Sequence, residues 1–539
     1  MIGQSIDPRD WILPRFLAEQ GRLRPTAPWV SMVDGNSLTF GEAAADVRRV
    51  AGYLSALGIK PGDKVGIFLP NSIDFVRAWL GIGTLGAVAV MLNTELRGAF
   101  LRHQLRNCGA DLVIVHASLL EAVGEVAGEV ETLRRVAVPG GISALNLAGI
   151  DLLDWDGWCA ASPYDGPLPR AEDVACIMYT SGTSGPSKGV LMPHAHCALY
   201  GVGQIKAVQL TSEDRFYIPL PLFHANGLLM QLGASLQMGI AAVVRQRFSA
   251  SEWLNDIRRH DCTVTNTLGA LAAFVLAQPK RADDKQHRLR VACNAPNLPA
   301  HEAEFRDRFG IRDVISGFGM TEVNIPVWGR IGHSRPGAAG WVHDEHFEIV
   351  IADPETDRPV PPGELGEILV RPKIPFGFMV GYHDMPDRTV EAWRNLWFHT
   401  GDAGTKDADG LITFVDRTKD CIRRRGENIA ATEVEAAIGQ LSGVEEVAAY
   451  PVPSSIPGGE DELMLAIVPA SGFTLTTDEV IRHADKALPR FAAPRYVEFV
   501  AELPKTATGK VQRAVLRKRG VAFAWDREAP VAGSGSGVA

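Results

Sequence analysis

Cysteine is scarce in this chain. Seven occur in 539 residues, at positions 108, 159, 176, 197, 262, 293 and 421, an odd number with no C-x-x-C pair. Spacings this wide count against a disulfide framework or a structural zinc site and fit a reducing, cytoplasmic compartment. A basic surplus is missing too. Lys and Arg total 54 against 63 Asp and Glu, for a net charge of −9, the opposite of what a chain built on nucleic-acid backbones carries. Long apolar runs are missing as well. Ala78–Leu92 is too short to span a bilayer, and Gly227–Val244 is interrupted by Gln231, Ser235, Gln237 and glycines, so both read as buried core and no transmembrane segment is expected. The opening residues MIGQSIDPRDW show no basic region followed by an apolar stretch, and no signal peptide is expected. There is no solenoid-length repeat.

What is present is the material of a globular enzyme: 46% apolar and 22% charged residues, over a length that allows about three or four packing units. The first half alternates helix and strand patterns. Helices are expected at Ser37–Leu57 (stopped by Gly58), Ser72–Leu85 and Gly98–Asn107, with strands at Lys64–Leu69, Ala87–Leu92 and Leu112–Val115 between and after them. Strands follow at Arg215–Pro219, Ala241–Arg245 and Thr263–Thr267. This β–α–β rhythm predicts an α/β fold with mostly parallel sheets. After residue 335 the texture changes. Phe347–Ile351, Gly366–Val370 and Leu411–Phe414 read as short strands between Pro-, Gly- and Asp-rich turns, the mark of an antiparallel, barrel-like subdomain. Asp416–Asp420 is a charged joint. Beyond it lies a compact α+β pattern: helix Ala431–Ile438, strands Val444–Pro451 and Glu462–Pro469, helix Thr477–Ala487 and strand Tyr496–Val500. The expected division is 1–416, a joint at 417–420, a small domain at 421–527 and a disordered glycine–serine tail at 528–539.

Two motif-like strings carry little chemistry. Gly81-Ile-Gly-Thr-Leu-Gly86 matches G-x-G-x-x-G, but its glycines close a helix and precede a strand, the reverse of a dinucleotide fingerprint. Close packing accounts for it better. His343-Asp-Glu-His346 is four consecutive residues with no further ligand in view, and reads as a solvated turn. Cys293 has no base paired with it in any motif, which argues against a thiol nucleophile.

The sharpest feature is Tyr179-Thr-Ser-Gly-Thr-Ser-Gly-Pro-Ser-Lys-Gly-Val190, directly after the strand-like run Val174–Met178. Ten of its twelve residues are Gly, Ser, Thr, Lys or Pro, too polar and flexible for a core element. Glycines let backbone N–H groups wrap an anion. The hydroxyls of Thr180, Ser181, Thr183 and Ser184 add donors, and Lys188 adds a charge. The segment is suited to cradling polyphosphate, although the Walker A spacing is absent.

This string resembles the phosphate loop of the adenylate-forming superfamily, which holds acyl-CoA synthetases, stand-alone adenylation domains and luciferases. Further pieces of that family's pattern follow in order: Pro221-Leu-Phe-His224, Gly319-Met-Thr-Glu322, Gly363-Glu-Leu-Gly-Glu367, Trp397-Phe-His-Thr-Gly-Asp402, Asp416-Arg-Thr-Lys-Asp420, Arg425-Gly-Glu-Asn428 and Leu503-Pro-Lys-Thr-Ala-Thr-Gly-Lys510. The likeness spans roughly residues 30–520. Within the superfamily the chain is most similar to the crotonobetaine/carnitine–CoA ligase branch, partly through the run Asp283-Asp-Lys-Gln-His-Arg-Leu-Arg290.

The resemblance implies a large AMP-binding domain of stacked sheets with a small mobile domain, and an ATP-dependent carboxylic acid–CoA ligase that forms an acyl-adenylate and then a thioester. ATP, Mg²⁺, CoA and an organic acid would be its partners, with a homodimer possible. It implies a nucleotide site made of Thr180, Ser181, Gly182, Thr183, Ser184, Gly185, Lys188, Asn294, Ala295, Pro296, Gly317, Phe318, Gly319, Met320, Thr321, Asp402, Arg417 and Lys510. Thr321 would touch the α-phosphate. Asp402, an acceptor when ionised, and Arg417 would hold the ribose, and Phe318 would stack on adenine where the family often has Tyr. Glu322 beside a phosphate loop needs a divalent ion between the like charges, and with Thr183 would hold Mg²⁺. Lys510 is implied as the adenylation lysine, Lys419 as the hinge, and Arg425, Gly426 and Glu427 as the wall of a CoA tunnel; the triplet Arg423-Arg424-Arg425 suggests contact with CoA phosphates. His224 would gate the acyl pocket, whose walls are Phe223, Asn226, Leu229, Met230, Asn294, Val323 and Trp328. Phe223 and Trp328 could face a quaternary ammonium, or line a slot for a medium-chain, aryl or alicyclic acid. A carrier-protein thiol in place of CoA, or an inactive nucleotide-binding homologue, are the alternatives; intact Lys188, Glu322, Asp402, Arg417 and Lys510 argue against the latter.

Overall fold

The computed structural model describes residues 7–141, 147, 149–180, 186–333, 335–417, 421–454, 456, 459–504 and 511–529. The chain divides into two compact units, the larger taking residues 1–94, 101–180 and 187–419 and the smaller taking 95–100, 181–186 and 420–539.

Among the described residues, the larger unit is built on three sheets. The first runs Gly381–Tyr382, Lys188–Pro193, Val174–Thr180, Val88–Met91, Lys64–Phe68, Leu112–Val115, Arg135–Val138, Asp151–Asp154. From Val174–Thr180 onward its strands are parallel, while Lys188–Pro193 and Gly381–Tyr382 form an antiparallel margin. Its central strands read as continuous apolar runs, as burial on both faces requires; every residue of Val88–Met91 and Leu112–Val115 is buried. The second sheet runs Asp313–Ile315, Val291–Ala295, Val264–Leu268, Arg215–Ile218, Ala241–Val244, Pro28–Met32, Ser37–Thr39, parallel except for its last member. The third is antiparallel throughout: Gly317–Met320, Asn324–Trp328, Gly340–Val342, Leu411–Arg417, Phe398–Lys406, Gly366–Pro372, Phe347–Ala352. No helix among the described residues is long and apolar enough to cross a membrane.

Most expected elements stand within a residue or two of their positions, with one clear correction. The helix expected over Ser37–Leu57 begins at Phe40. Thr39 caps it, its hydroxyl accepting from the Glu42 N–H while Glu42 reaches back to the Thr39 N–H, a reciprocal capping box that stops the helix from extending further toward the amino terminus. Ser37–Thr39 is left to pair with Pro28–Met32 as an edge strand.

The glycine string 81–86 proves to be packing. Gly86, at φ +79°, caps helix Ile73–Leu85, a left-handed position that glycine fills without strain. A Cβ at Gly81 would lie 2.3 Å from Val50 Cγ1, on the neighbouring helix Phe40–Ala56. Gly81→Ala should therefore lower stability by about 1–3 kcal/mol, read as a drop in thermal midpoint, with nucleotide affinity of the folded fraction unchanged. A selective loss of nucleotide binding would return this string to the phosphate chemistry.

The smaller unit has a hairpin, Cys421–Arg424 with Glu427–Ala430, and a sheet ordered Val444–Val452, Glu462–Pro469, Tyr496–Phe499, Trp525–Asp526, in which the middle pair is parallel. Helices Ala431–Ile438 and Thr477–Ala487 accompany it, the latter started by a capping box between Thr476 and Glu479.

Candidate active site

The hairpin Val174–Thr180/Lys188–Pro193 sets Thr180 opposite Lys188. Both of its ends are tied to helix Gly98–Cys108. The Tyr179 hydroxyl donates to Asn107 Oδ1 at 2.8 Å, and His103 Nε2 meets the Ser187 carbonyl at 2.8 Å. Ser181, Gly182, Thr183, Ser184 and Gly185, the centre of the glycine- and hydroxyl-rich string, lie outside the described residues. The structure thus fixes the two legs between which that string is strung.

Glu322 is the focus of the described site. It lies in the turn between Gly317–Met320 and Asn324–Trp328 and is 2% exposed. Its Oε1 accepts from the Thr180 hydroxyl at 3.0 Å and from the Tyr382 hydroxyl at 2.9 Å. Its Oε2 is buried with no hydrogen-bond partner among the described residues. The Lys188 ammonium stands over the Tyr382 ring, 4.2 Å from its centroid, a cation–π placement. Burial and the adjoining Glu322 carboxylate push the Tyr382 phenol far up, so it stays a proton donor. A buried carboxylate with one satisfied oxygen and one bare oxygen is an unfinished coordination, and a hard dication with oxygen ligands would finish it. The residues therefore fit the Mg²⁺ that the sequence implies.

The turn is held from behind. His196 Nε2 meets the Thr321 carbonyl at 3.0 Å and its Nδ1 the Gly377 carbonyl at 2.8 Å. The Tyr200 hydroxyl donates to the Met320 carbonyl at 3.1 Å, Asn324 Nδ2 donates to the His196 carbonyl at 2.9 Å, and the Met379 N–H donates to the Glu322 carbonyl at 3.1 Å. Burial pushes His196 down to about 4, and a neutral imidazole carries a single N–H, so it donates to one of these two carbonyls at a time. Asn324 occupies a left-handed conformation, φ +70°, which Asn tolerates better than most side chains. Gly319 leaves no room for a side chain, since a Cβ there would sit 2.1 Å from the Asn324 carbonyl.

The same antiparallel sheet carries Phe318, Asp402 and Arg417. Asp402 is buried and stands opposite Arg417 in register. The bend at Gly401, φ +72°, is secured by Glu367, whose Oε1 accepts from the Gly401 N–H at 2.9 Å and whose Oε2 meets His399 Nδ1 at 3.0 Å. The Phe318 ring stacks on Phe414 at 6.1 Å and 24°. Gly317 and Met320 share its strand. Asn294 and Ala295 end strand Val291–Ala295, and Pro296 follows. Asn294 is buried, with Oδ1 accepting from the Thr267 hydroxyl and Nδ2 without a partner. Burial pushes the Cys293 thiol up to about 12, which makes it a poor nucleophile at neutral pH.

Asn226, one of the expected acyl-pocket residues, joins a buried amide chain that sequence reading missed. Gln204 Nε2 donates to Asn266 Oδ1 at 3.1 Å, Asn266 Nδ2 donates to Asn226 Oδ1 at 2.8 Å, and the Asn266 N–H donates to Gln231 Oε1 at 3.2 Å. Leu229 and Met230 directly precede Gln231 in the π-helical turn Asn226–Leu232. Phe223 and His224 meet edge to face at 4.7 Å, and Leu229, Val323 and Trp328 are buried. Trp328 lies against Gly203, where a Cβ would come 3.1 Å from its Nε1. Gln231 Nε2 and Trp328 Nε1 are buried donors with no partner.

The remaining expectations divide. Lys510 and Lys419 lie outside the described residues, and the side chain of Arg417 is likewise not described. Arg425 and Gly426 turn the Cys421–Ala430 hairpin, both at positive φ (+56° and +82°), and Glu427 opens its second strand. The arginine triplet is corrected in part. Arg424 is buried, paired with Glu462 through a 2.6 Å bond and donating to the Phe491 carbonyl. Arg423 pairs with Glu460 at 3.0 Å, leaving Arg425 as the exposed member. The run 283–290 also has structural employment, with Asp283 on Arg258, Asp284 on Arg308 and Arg290 bidentate on Asp214. The His343–His346 turn is solvated only in part: Asp344 and Glu345 are exposed, whereas His346 is buried, its ring packed edge-on against Trp11.

The AMP-binding enzyme model matches residues 17–383, and the AMP-binding enzyme C-terminal domain model matches 433–510. The chain belongs to this family, and so to the adenylate-forming superfamily; it is an enzyme of the acid–thiol ligase class. It is 33% identical to a sulfoacetate–CoA ligase of Cupriavidus necator over 94% of this chain and 97% of the relative. It is 28% identical to a crotonobetaine/carnitine–CoA ligase of Shigella dysenteriae over 89% and 93%. Among solved structures, a double mutant of o-succinylbenzoate CoA synthetase from Bacillus subtilis, bound to a product analogue, superposes with a TM-score of 0.80 at 25% identity, covering 95% of this chain and 99% of that one.

Proposed function

We propose that this enzyme activates a carboxylic acid with ATP and transfers the acyl group to CoA. The observation that carries the reading is Glu322, a buried carboxylate anchored by Thr180 and Tyr382, bare on Oε2, and neighboured by Lys188 across the Tyr382 ring. The substrate carboxylate attacks the α-phosphorus of ATP, pyrophosphate leaves, and the resulting mixed anhydride is opened by the CoA thiol with release of AMP. Mg²⁺, held by Glu322 with Thr183, would neutralise phosphate charge. Thr180 and Lys188 position the triphosphate at the mouth of the hairpin, and Thr321 contacts the α-phosphate. Asp402 and Arg417 orient the ribose. Phe318 offers its ring to adenine beside Asn294, Ala295, Pro296, Gly317, Gly319 and Met320. Lys510 serves the first half-reaction; a turn at Lys419 exchanges it for the Arg425–Gly426–Glu427 hairpin in the second. Positioning and charge stabilisation of this kind supply most of the catalysis in phosphoryl-group chemistry.

The acid itself is a polar one on this reading. The buried donors Gln231 Nε2 and Trp328 Nε1, with Asn294 Nδ2, have no partner among the described residues, and a buried donor left bare costs about 1–3 kcal/mol. A substrate bearing a second acceptor, such as a carbonyl, hydroxyl or ether oxygen, would satisfy them. The donors are amides and an indole, all neutral, which favours a neutral acceptor over a quaternary ammonium or a plain alkyl chain. The test is a panel of acids with ATP, Mg²⁺ and CoA, read by mass spectrometry of the thioesters. Oxygenated short or aryl acids should exceed their deoxygenated counterparts by about tenfold or more in kcat/KM. Equal rates for both would remove the polar-acid reading. Thioester on a carrier-protein thiol but none on CoA would replace the acceptor and leave adenylation standing.

A further inference from the structure

The turn 343–346 links strand Gly340–Val342 to strand Phe347–Ala352 and takes no part in the chemistry above. Its backbone is fixed by four hydrogen bonds. The His346 and Phe347 N–H groups both donate to the His343 carbonyl at 3.0 Å. The His343 N–H donates to Pro326 at 2.8 Å, and the Lys373 N–H donates to the His346 carbonyl at 2.8 Å. The fold therefore holds two imidazoles side by side, with centroids 4.7 Å apart and planes at 74°. His346 is 5% exposed, and Trp11 closes its far side edge-on at 5.6 Å.

All four ring nitrogens of His343 and His346 are buried and without a hydrogen-bond partner among the described residues. Native proteins seldom leave such groups bare without an ion or water to meet them. A third donor stands at the opening. Glu345 Oε1 lies 3.9 Å from His346 Nε2, and ligand atoms of His343, Glu345 and His346 all fall within 4.8 Å of one another. The other oxygen of Glu345 is paired with the Lys206 ammonium. On the far side, Lys373 Nζ is engaged at 2.6 Å by the Asp344 carbonyl, away from the imidazoles.

We propose that His343, Glu345 and His346 form a binding site for a first-row divalent cation, best matched by zinc. Two imidazole nitrogens and one carboxylate oxygen make the three-ligand set that zinc accepts, with a water in the fourth position. Magnesium and calcium, which ask for all-oxygen shells, do not fit.

The test is calorimetric titration of chelator-treated, full-length protein with Zn²⁺ in the absence of nucleotide, followed by Co²⁺ absorption. Wild type should take up one equivalent and give a nitrogen–oxygen cobalt spectrum with no sulfur-to-metal band. Glu345→Gln, at an exposed position where folding is not at stake, should weaken binding by roughly tenfold or more. His343→Ala/His346→Ala should abolish it, while His333→Ala, an exposed histidine, and Glu322→Gln should bind as wild type does. Binding unaltered by Glu345→Gln and by the double substitution would overturn the proposal, as would no uptake by wild type.

Discussion

Glu322→Gln should lower carboxylate-dependent exchange of pyrophosphate into ATP by roughly 10²–10³-fold, the loss typical of removing one preorganised charge-stabilising group. The substitution is close to isosteric. The amide oxygen can still accept from Thr180 and Tyr382, the two hydroxyls that now meet Oε1 at 3.0 and 2.9 Å, so the turn should keep its shape and the thermal midpoint should hold. What is lost is the negative charge and the bare Oε2. A second readout separates a metal-binding role from a purely steric one: Mn²⁺ affinity in the presence of ATP, followed by paramagnetic resonance, should fall with the exchange rate. Tyr382→Phe isolates the support. It removes one hydrogen bond, worth about 1 kcal/mol, but keeps the ring beneath Lys188. Its exchange rate should drop roughly tenfold at most, with the divalent-ion requirement raised. Exchange at the wild-type rate in Glu322→Gln would take the carboxylate out of the mechanism.

How far the sequence foretold this site depended on which interactions are local. The apolar runs Val88–Met91 and Leu112–Val115, and the turn signals between them, announce buried parallel strands because each strand's environment is written in its own residues. The capping box at Thr39 and Glu42 was equally written there, yet the helical periodicity through Ser37 and Leu38 masked it, since a three-residue edge strand has no pattern of its own. The motif residues Thr180, Lys188, Glu322 and Asp402 were legible as a family pattern. Their brackets were not. Tyr382 lies 60 residues from Glu322, and Asn266 lies 62 from Gln204. Each looks like an ordinary aromatic or amide until the sheets bring the pair together. The histidine turn failed for the same reason: Trp11, which buries His346, comes from the other end of the larger unit's sequence. Long-range burial leaves no trace in a local window, so a polar residue destined for the interior reads as a surface one.

Lys510→Ala should abolish the first half-reaction and spare the second. The lysine stands in the string Thr506-Ala-Thr-Gly-Lys510, at the end of the segment matched by the C-terminal domain model. Its own position lies outside the described residues, so the expectation rests on chemistry and on the family pattern. An ammonium on a flexible stem can follow phosphate oxygens as charge moves onto them, which matters while the acid attacks ATP and not while a thiol opens an anhydride already made. Pyrophosphate exchange should therefore fall by roughly 10²–10³-fold or more, whereas thioester formation from chemically prepared acyl-adenylate and CoA should stay within a few-fold of wild type. The complementary substitution is Gly426→Val. It is expected to do the reverse, because Gly426 sits at φ +82° in the turn of a hairpin where a branched side chain is both strained and obstructive; exchange should survive and thiolysis should slow. Glu460, whose carboxylate accepts from the Gly426 N–H at 2.6 Å and pairs with Arg423, holds that turn in place, so a comparison with Glu460→Gln shows how much of the thiolysis loss comes from a displaced hairpin rather than from bulk. If both Lys510→Ala and Gly426→Val reduced the two half-reactions in equal measure, the smaller unit would act as a single static lid, and the division of labour between Lys510 and the Arg425–Glu427 hairpin would be wrong.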